Sequence, residues 1–183
     1  ACSNPFGSGA IFRENKTMKY KAMIAALSLL FLSSCLTDPW GDYGYPESNY
    51  KPILMERSSL ESSVKLVDPQ AIKNFGKIYR YNDLLFINEV YEGIHIINNA
   101  DPANPVNIGF ITIPGNIDIA IKNGYIYADN AVDLIVISYD GQNVQVVDRN
   151  REVFPELPAP DGYYSSDLSE RPDNTIIVKW KEK

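Results

Sequence analysis

The single histidine, His95, and the two cysteines, Cys2 and Cys35, are the side chains of this 183-residue chain most able to do chemistry near neutral pH. Imidazole relays protons or ligates metals, and a thiolate attacks electrophiles or accepts an acyl group. Such work needs partners. His95 stands in an aliphatic run, Gly93-Ile94-His95-Ile96-Ile97, with no second His, Asp or Cys at metal-ligand or triad spacing, so it reads as a structural or half-exposed strand residue. Asp101, Asp118, Asp129, Asp133 and Asp140 fall mainly at strand ends without the dense Asp/Asn spacing of a calcium loop, and they read as carboxylates that cap their own turns. No Gly-rich phosphate loop, CxxC pair or GxSxG elbow is present. The sequence therefore assigns no catalytic residue, no cofactor and no metal site. Tyr43, Tyr45, Tyr50, Tyr163 and Tyr164 read first as aromatic packing for irregular segments, and second as surface for a sugar or a protein.

Cys35 has the more informative setting. Lys19 and Lys21 precede an apolar run, Ala22 to Leu32, that ends in Leu32-Ser33-Ser34-Cys35. The run suits the apolar core of an export signal and falls short of the about 20 residues that span a bilayer. This segment resembles a bacterial lipoprotein signal peptide with its lipobox. The resemblance implies diacylation of the Cys35 sulfur, cleavage just before it and acylation of the new N-terminus, which makes Cys35 the lipidation site and attaches the chain to a membrane. Several acyl chains hold firmly because each buried methylene contributes about 0.8 kcal/mol. The other reading is a cleaved secretory signal with an incidental cysteine.

Residues 18–34 are then the signal peptide, and residues 1–17, ahead of Met18, read as a non-native upstream extension. After cleavage Cys35 is the one cysteine left, so no internal disulfide forms and stability rests on packing. The net charge of −6 comes with no Lys/Arg cluster, which argues against nucleic acid as a partner. Residues 35–75 read as the lipidated cysteine, a Gly/Pro/Tyr-rich tether over Leu36 to Pro52, and one short helix, Ser59 to Val64, begun by a capping box from Ser58 to Glu61.

Residues 76–151 carry a two-copy repeat. Asn82 to Ile87 matches Lys122 to Tyr127, and Gly93 to Ile97 matches Asp133 to Ile137, at an offset of 40 in both places. Short runs rich in Ile, Val, Phe and Tyr give four strands per copy: Lys77 to Tyr81, Leu84 to Asn88, Gly93 to Ile97 and Val106 to Ile113, then Ile117 to Ile121, Tyr125 to Ala128, Leu134 to Ser138 and Val144 to Val147. Asn82-Asp83 and Asn123-Gly124 have the composition of two-residue hairpin turns. Residues 152–183 read as a Pro-rich loop and, over Thr175 to Trp180, the start of a third repeat. A repeat of this period filled with short strands predicts an all-β fold, a partial β-propeller of about two four-stranded units behind a signal-peptide helix and a flexible tether.

The run Gly93-Ile94-His95-Ile96-Ile97-Asn98-Asn99-Ala100-Asp101-Pro102-Ala103-Asn104-Pro105, with its counterpart Leu134-Ile135-Val136-Ile137-Ser138, resembles the LVIVD repeat. Copy two lacks the Asp-Pro turn of that pattern. The resemblance covers about Gly76 to Asp148 and implies a propeller-like, lipid-anchored envelope protein of a Gram-negative bacterium. Leu36, where an inner-membrane retention signal has Asp, leans the location toward the outer membrane. It also implies the front portion of a longer chain, because propellers close with about four to eight blades, and hence an open sheet edge able to pair with another molecule. Function is then expected to be non-enzymatic binding of a protein or glycan. The competing expectation is a lactonase- or hydrolase-type propeller enzyme whose site lies in further blades.

Overall fold

Turns that only a few residues can make set the strands of this protein. Asn82 and Asn123 take φ of 52° and 53°, in the left-handed region that Asn tolerates, and each closes a two-residue hairpin. The computed structural model describes residues 46–183. Cys35, the lipobox and residues 1–45 as a whole lie outside the described residues, as do Tyr43 and Tyr45.

The described residues are almost wholly β, in three antiparallel sheets. In chain order the strands are β1 (Tyr50–Glu56), β2 (Lys65–Val67), β3 (Phe75–Tyr81), β4 (Leu84–Glu89), β5 (Gly93–Asn98), β6 (Val106–Thr112), β7 (Ile119–Lys122), β8 (Tyr125–Asn130), β9 (Asp133–Tyr139), β10 (Val144–Asn150) and β11 (Thr175–Glu182). One helix, α1 (Arg57–Glu61), and a 3-10 turn at Ser166–Leu168 complete them. Strands β3 to β6 and β7 to β10 are two meanders, each pairing in sequence order. Both carry a bulge at the same place: Ile108 is skipped between Ile96↔Gly109 and Ile97↔Asn107, and Val147 between Val136↔Asp148 and Ile137↔Val146.

The register corrects the uniform offset. Tyr81 pairs with Leu84 as Lys122 pairs with Tyr125, an offset of 41. Glu89 then meets Gly93 across three residues, whereas Asn130 meets Asp133 across two, which returns the offset to 40. Copy one has one extra residue in this turn.

Two facts about the faces decide how the copies stack. In copy one Phe86, Ile94, Ile96 and Ile111 enter the main core, and in copy two Ile126, Ala128, Ile135 and Ile137 enter it. Applying the offsets, Ile135 and Ile137 correspond to His95 and Ile97, on the opposite face of the sheet from Ile94 and Ile96. The front of copy one therefore lies on the back of copy two. Each fully buried Ile in this seam contributes about 1.5–3 kcal/mol relative to exposure. The front of copy two, at Tyr127 and Leu134, is covered by the loop residues Phe154 to Pro158 over an apolar cavity of about 420 Å³.

Several expectations need correction. The tether ends earlier than Pro52, because β1 begins at Tyr50 and pairs antiparallel with β11, and Glu47 already bridges to Tyr164. Copy one gains a fifth strand, since β2 adds to the outer side of β6. Strand β11 pairs with β1 and not with either repeat, so it does not extend the repeated sheets. Its Ile177 and Trp180 pack with Leu157 and Ala159 of the Pro-rich loop, while Val178 packs with Leu60 and Ala131. The short helix is Arg57–Glu61, shifted toward the N-terminus, and no capping box forms. Ser58 lies inside the helix, and the Glu61 carboxylate is taken by Arg57 and Arg151, each within 3.0 Å.

Strand β3 ends the five-stranded sheet and is exposed nearly throughout, including Phe75 at 66% and Ile78 at 58%. Its Lys77 reaches Asp118, which precedes β7, at 2.5 Å.

Candidate functional site

The hairpin β4–β5 places a carboxylate beside the single histidine. Alternation puts Ile87 and Glu89 of β4 on the face that holds Gly93 and His95 of β5, and Ile87 is the direct partner of His95. Gly93, opposite Glu89, takes a φ of 148°, and a Cβ there would lie 1.9 Å from the Ile111 carbonyl oxygen. Only glycine closes the sheet at this point.

His95 is fully buried, and its Nε2 lies 3.0 Å from Glu89 Oε2. The backbone N–H groups of Lys73 and Asn74 donate to the same carboxylate at 3.0 and 2.5 Å. Burial on its own would raise the Glu89 pKa, but the backbone N–H of Lys73, the His95 ring and the backbone N–H of Asn74 together outweigh it and hold the carboxyl below its ordinary value. Phe110, the cross-strand partner of His95, lies against the imidazole with ring centroids 4.7 Å apart. The other ring nitrogen, Nδ1, is buried and has no hydrogen-bond partner among the described residues.

His95 and Glu89 line a cavity of about 460 Å³ on the back of copy one. Gln70, Asn74 and Tyr91 contribute to its wall, and β11 closes it with Lys179 and Trp180. The Trp180 indole is anchored by Nε1 donating to the Leu157 carbonyl at 2.9 Å. Lys179 pairs with Glu92.

The sequence reading considered only His, Asp or Cys as companions of His95, and register supplies a residue of another type, Glu89. Sequence reasoning missed Glu89, Phe110, Lys179 and Trp180. Period-two alternation across the β4–β5 hairpin could have found Glu89, whereas nothing in the sequence brings β11 here.

The aspartates divide. Asp101 accepts from the Ala103 N–H and the Asn104 side chain, and Asp140 accepts from the N–H groups of Gln142 and Asn143 and from the Asn143 side chain. Both are turn caps, so copy two keeps the capping carboxylate after losing the proline. Asp129 accepts from the N–H groups of Ile117 and Asp118, yet burial, the largest influence, raises its pKa. Asp133 departs from turn capping. It is fully buried and ion-paired to Arg57 at 3.0 Å and Arg149 at 2.5 Å, with the Glu152 N–H donating at 3.1 Å. Among the described residues no group of three or more His, Cys, Asp and Glu is placed to hold a metal ion.

Chemically, the carboxylate-held imidazole is sealed at the base of the cavity, with its spare nitrogen buried. Among the described residues no Ser, Thr or Cys lines the cavity for that imidazole to activate. Tyr163 and Tyr164 are exposed and away from it, and Tyr50 packs with Ile177 and Trp180 beneath. Comparison with protein-family models, with curated proteins and with solved structures finds no match for this chain.

Proposed function

We propose that this chain is an LVIVD-type envelope lipoprotein, held to a membrane by acylated Cys35, whose blade-like repeats bind a protein or glycan without reacting with it. The observation that carries the reading is the front-to-back stacking of two meanders with the same bulge. Front-to-back contact is the way propeller blades stack, and it presents turns of successive copies along one rim. The Asp101 and Asp140 turns are such a pair. Rigid sheets that carry variable turns suit binding, because the scaffold holds the loops in place. The anchor reading is supported by the Lys19 to Cys35 pattern, and the outer membrane by Leu36.

Two measurements test it. Growth with labelled palmitate is expected to label the protein and not its Cys35→Ser variant, and equal labelling of the two removes the anchor. A pull-down from envelope extract with the repeat domain is expected to retain a partner or glycan, and an empty eluate counts against the binding module.

A further inference from the structure

We propose that the cavity between the front of copy two and the Phe154–Pro158 loop binds a small apolar molecule carrying one ammonium group, a ligand class separate from anything held by the turns of the rim. Three observations carry it. First, the cavity has an accessible apolar lining. Cross-strand pairing of Ala120 with Tyr127 and of Asp129 with Leu134, with alternation along β8, puts these four side chains on one face of the sheet, and each is exposed or half-buried. Ile117 and Phe154 add to the lining and are 44% and 39% exposed. The volume of about 420 Å³ lies within the ordinary range of small-molecule sites, about 300–1,000 Å³.

Second, the lining has one carboxylate too many. Asp118, Asp129 and Glu156 line the cavity, and no Lys or Arg does. Asp118 is neutralised by Lys77 at 2.5 Å and Glu156 by Arg171 at 2.6 Å. Asp129 has no ion-pair partner among the described residues. It accepts only from neutral groups, the N–H groups of Ile117 and Asp118 and the side-chain amide of Asn116. Burial outweighs those backbone donors and raises its pKa, so its negative charge is held at a cost that a bound cation offsets. An anion is repelled here, and a neutral molecule leaves the carboxylate as it is.

Third, copy one shows the same face closed. By the offsets of 41 and 40, Ala120, Tyr127, Asp129 and Leu134 correspond to Tyr79, Phe86, Asn88 and Ile94. Phe86, Asn88 and Ile94 are buried, and Phe86 and Ile94 lie in the seam with copy two. Where the next copy covers the face, the polar position is a neutral Asn. Where no copy covers it, Ala120 makes room in place of Tyr79 and Asp129 supplies a charge in place of Asn88. Room and charge therefore occur together.

The test uses the full chain labelled at isoleucine methyls, in which Ile117 reports on the cavity and Ile78, on the exposed edge of copy one, is an internal control. 2-Phenylethylamine, tryptamine and hexylamine are titrated separately, each beside its neutral alcohol, with phenylacetate, methylammonium chloride and calcium chloride as further controls. At least one amine is expected to move the Ile117 methyl saturably with Ile78 in place, and to bind at least about tenfold more tightly than its alcohol, or about 1.4 kcal/mol. The three salts are expected to leave Ile117 unmoved. Asp129→Asn is expected to keep the fold by circular dichroism and to bring amine and alcohol to equal affinity. Ala120→Tyr, which copies the residue of copy one, is expected to weaken both at least about tenfold by filling the cavity. The proposal is overturned if no amine moves Ile117, if every alcohol or any of the three salts binds as tightly as the amines, or if either folded variant binds the amine as tightly as the parent.

Discussion

Copy one and copy two share a backbone and differ in what one face of it is used for. The same four strands, the same hairpin asparagines and the same bulge recur, yet the back of copy two is dry seam while the back of copy one holds an imidazole hydrogen-bonded to a carboxylate beside a cavity. A sheet face covered by the next copy tolerates only apolar side chains, because an unpaired polar group there costs stability. A face with no copy against it is free to carry polar chemistry. The one-residue insertion in the β4–β5 turn adds to the contrast, since it accompanies the positive φ that demands Gly93 where copy two carries Asp133.

The largest effect is expected from giving copy one a side chain at that point. Gly93→Ala sets a Cβ against the Ile111 carbonyl, and a loss of more than about 4 kcal/mol, or no folding, is expected in urea titration. A loss below about 1 kcal/mol would break the contrast between the two turns. Next comes Asp133, the residue that copy two holds there. Asp133→Asn strips the charge from between Arg57 and Arg149, and it is expected to cost about 3 kcal/mol, toward the low end for a buried pair because both arginine side chains are partly exposed, at 21% and 12%.

Exchanging the face residues sharpens the comparison further. Ile135→His puts an imidazole into the seam without a carboxylate beside it, and a loss of about 2–3 kcal/mol is expected. His95→Ile leaves Glu89 its two backbone donors, so a change within about 1 kcal/mol is expected. Equal costs in the two directions would contradict the assignment of one wet and one dry face.

Acid titration gives the smallest effect, with signs that differ between the copies. The Glu89 pKa is lowered on folding, so its stabilisation is present above the unfolded carboxylate range and is lost as pH falls through the folded value. Asp129 in copy two has its pKa raised, so its ionised form opposes folding and acidification relieves that cost. The stability advantage of the parent over Glu89→Gln is therefore expected to shrink on acidification, and that over Asp129→Asn to grow. Parallel curves would show that the two carboxylates sit in like environments.

What was readable in the sequence is what depends on neighbours in the chain. Aliphatic runs between Asn and Gly turns marked all the strands of both meanders, because hairpin pairing is local. Strand β1 starts within the Pro/Tyr-rich stretch that ends at Pro52 and runs on to Glu56; its partner, β11, lies at the other end of the described residues, and no local pattern reports such a pairing. The helix was misplaced for a related reason: Ser58 and Glu61 have capping-box spacing, but Arg57 and Arg151 compete for the Glu61 carboxylate and win. Half of the candidate site was legible, since alternation across one hairpin joins Glu89 to His95. The other half arrives with Lys179 and Trp180 on the distant strand.

The stacking itself is open to direct observation through isoleucine methyl groups. In a sample labelled only at isoleucine methyls, nuclear Overhauser contacts are expected to join Ile94, Ile96 and Ile111 with Ile126, Ile135 and Ile137. Contacts from Ile97, on the His95 face, to the isoleucines of copy two would mean that the copies meet through other faces, and both the dry seam and the open cavity would be wrong.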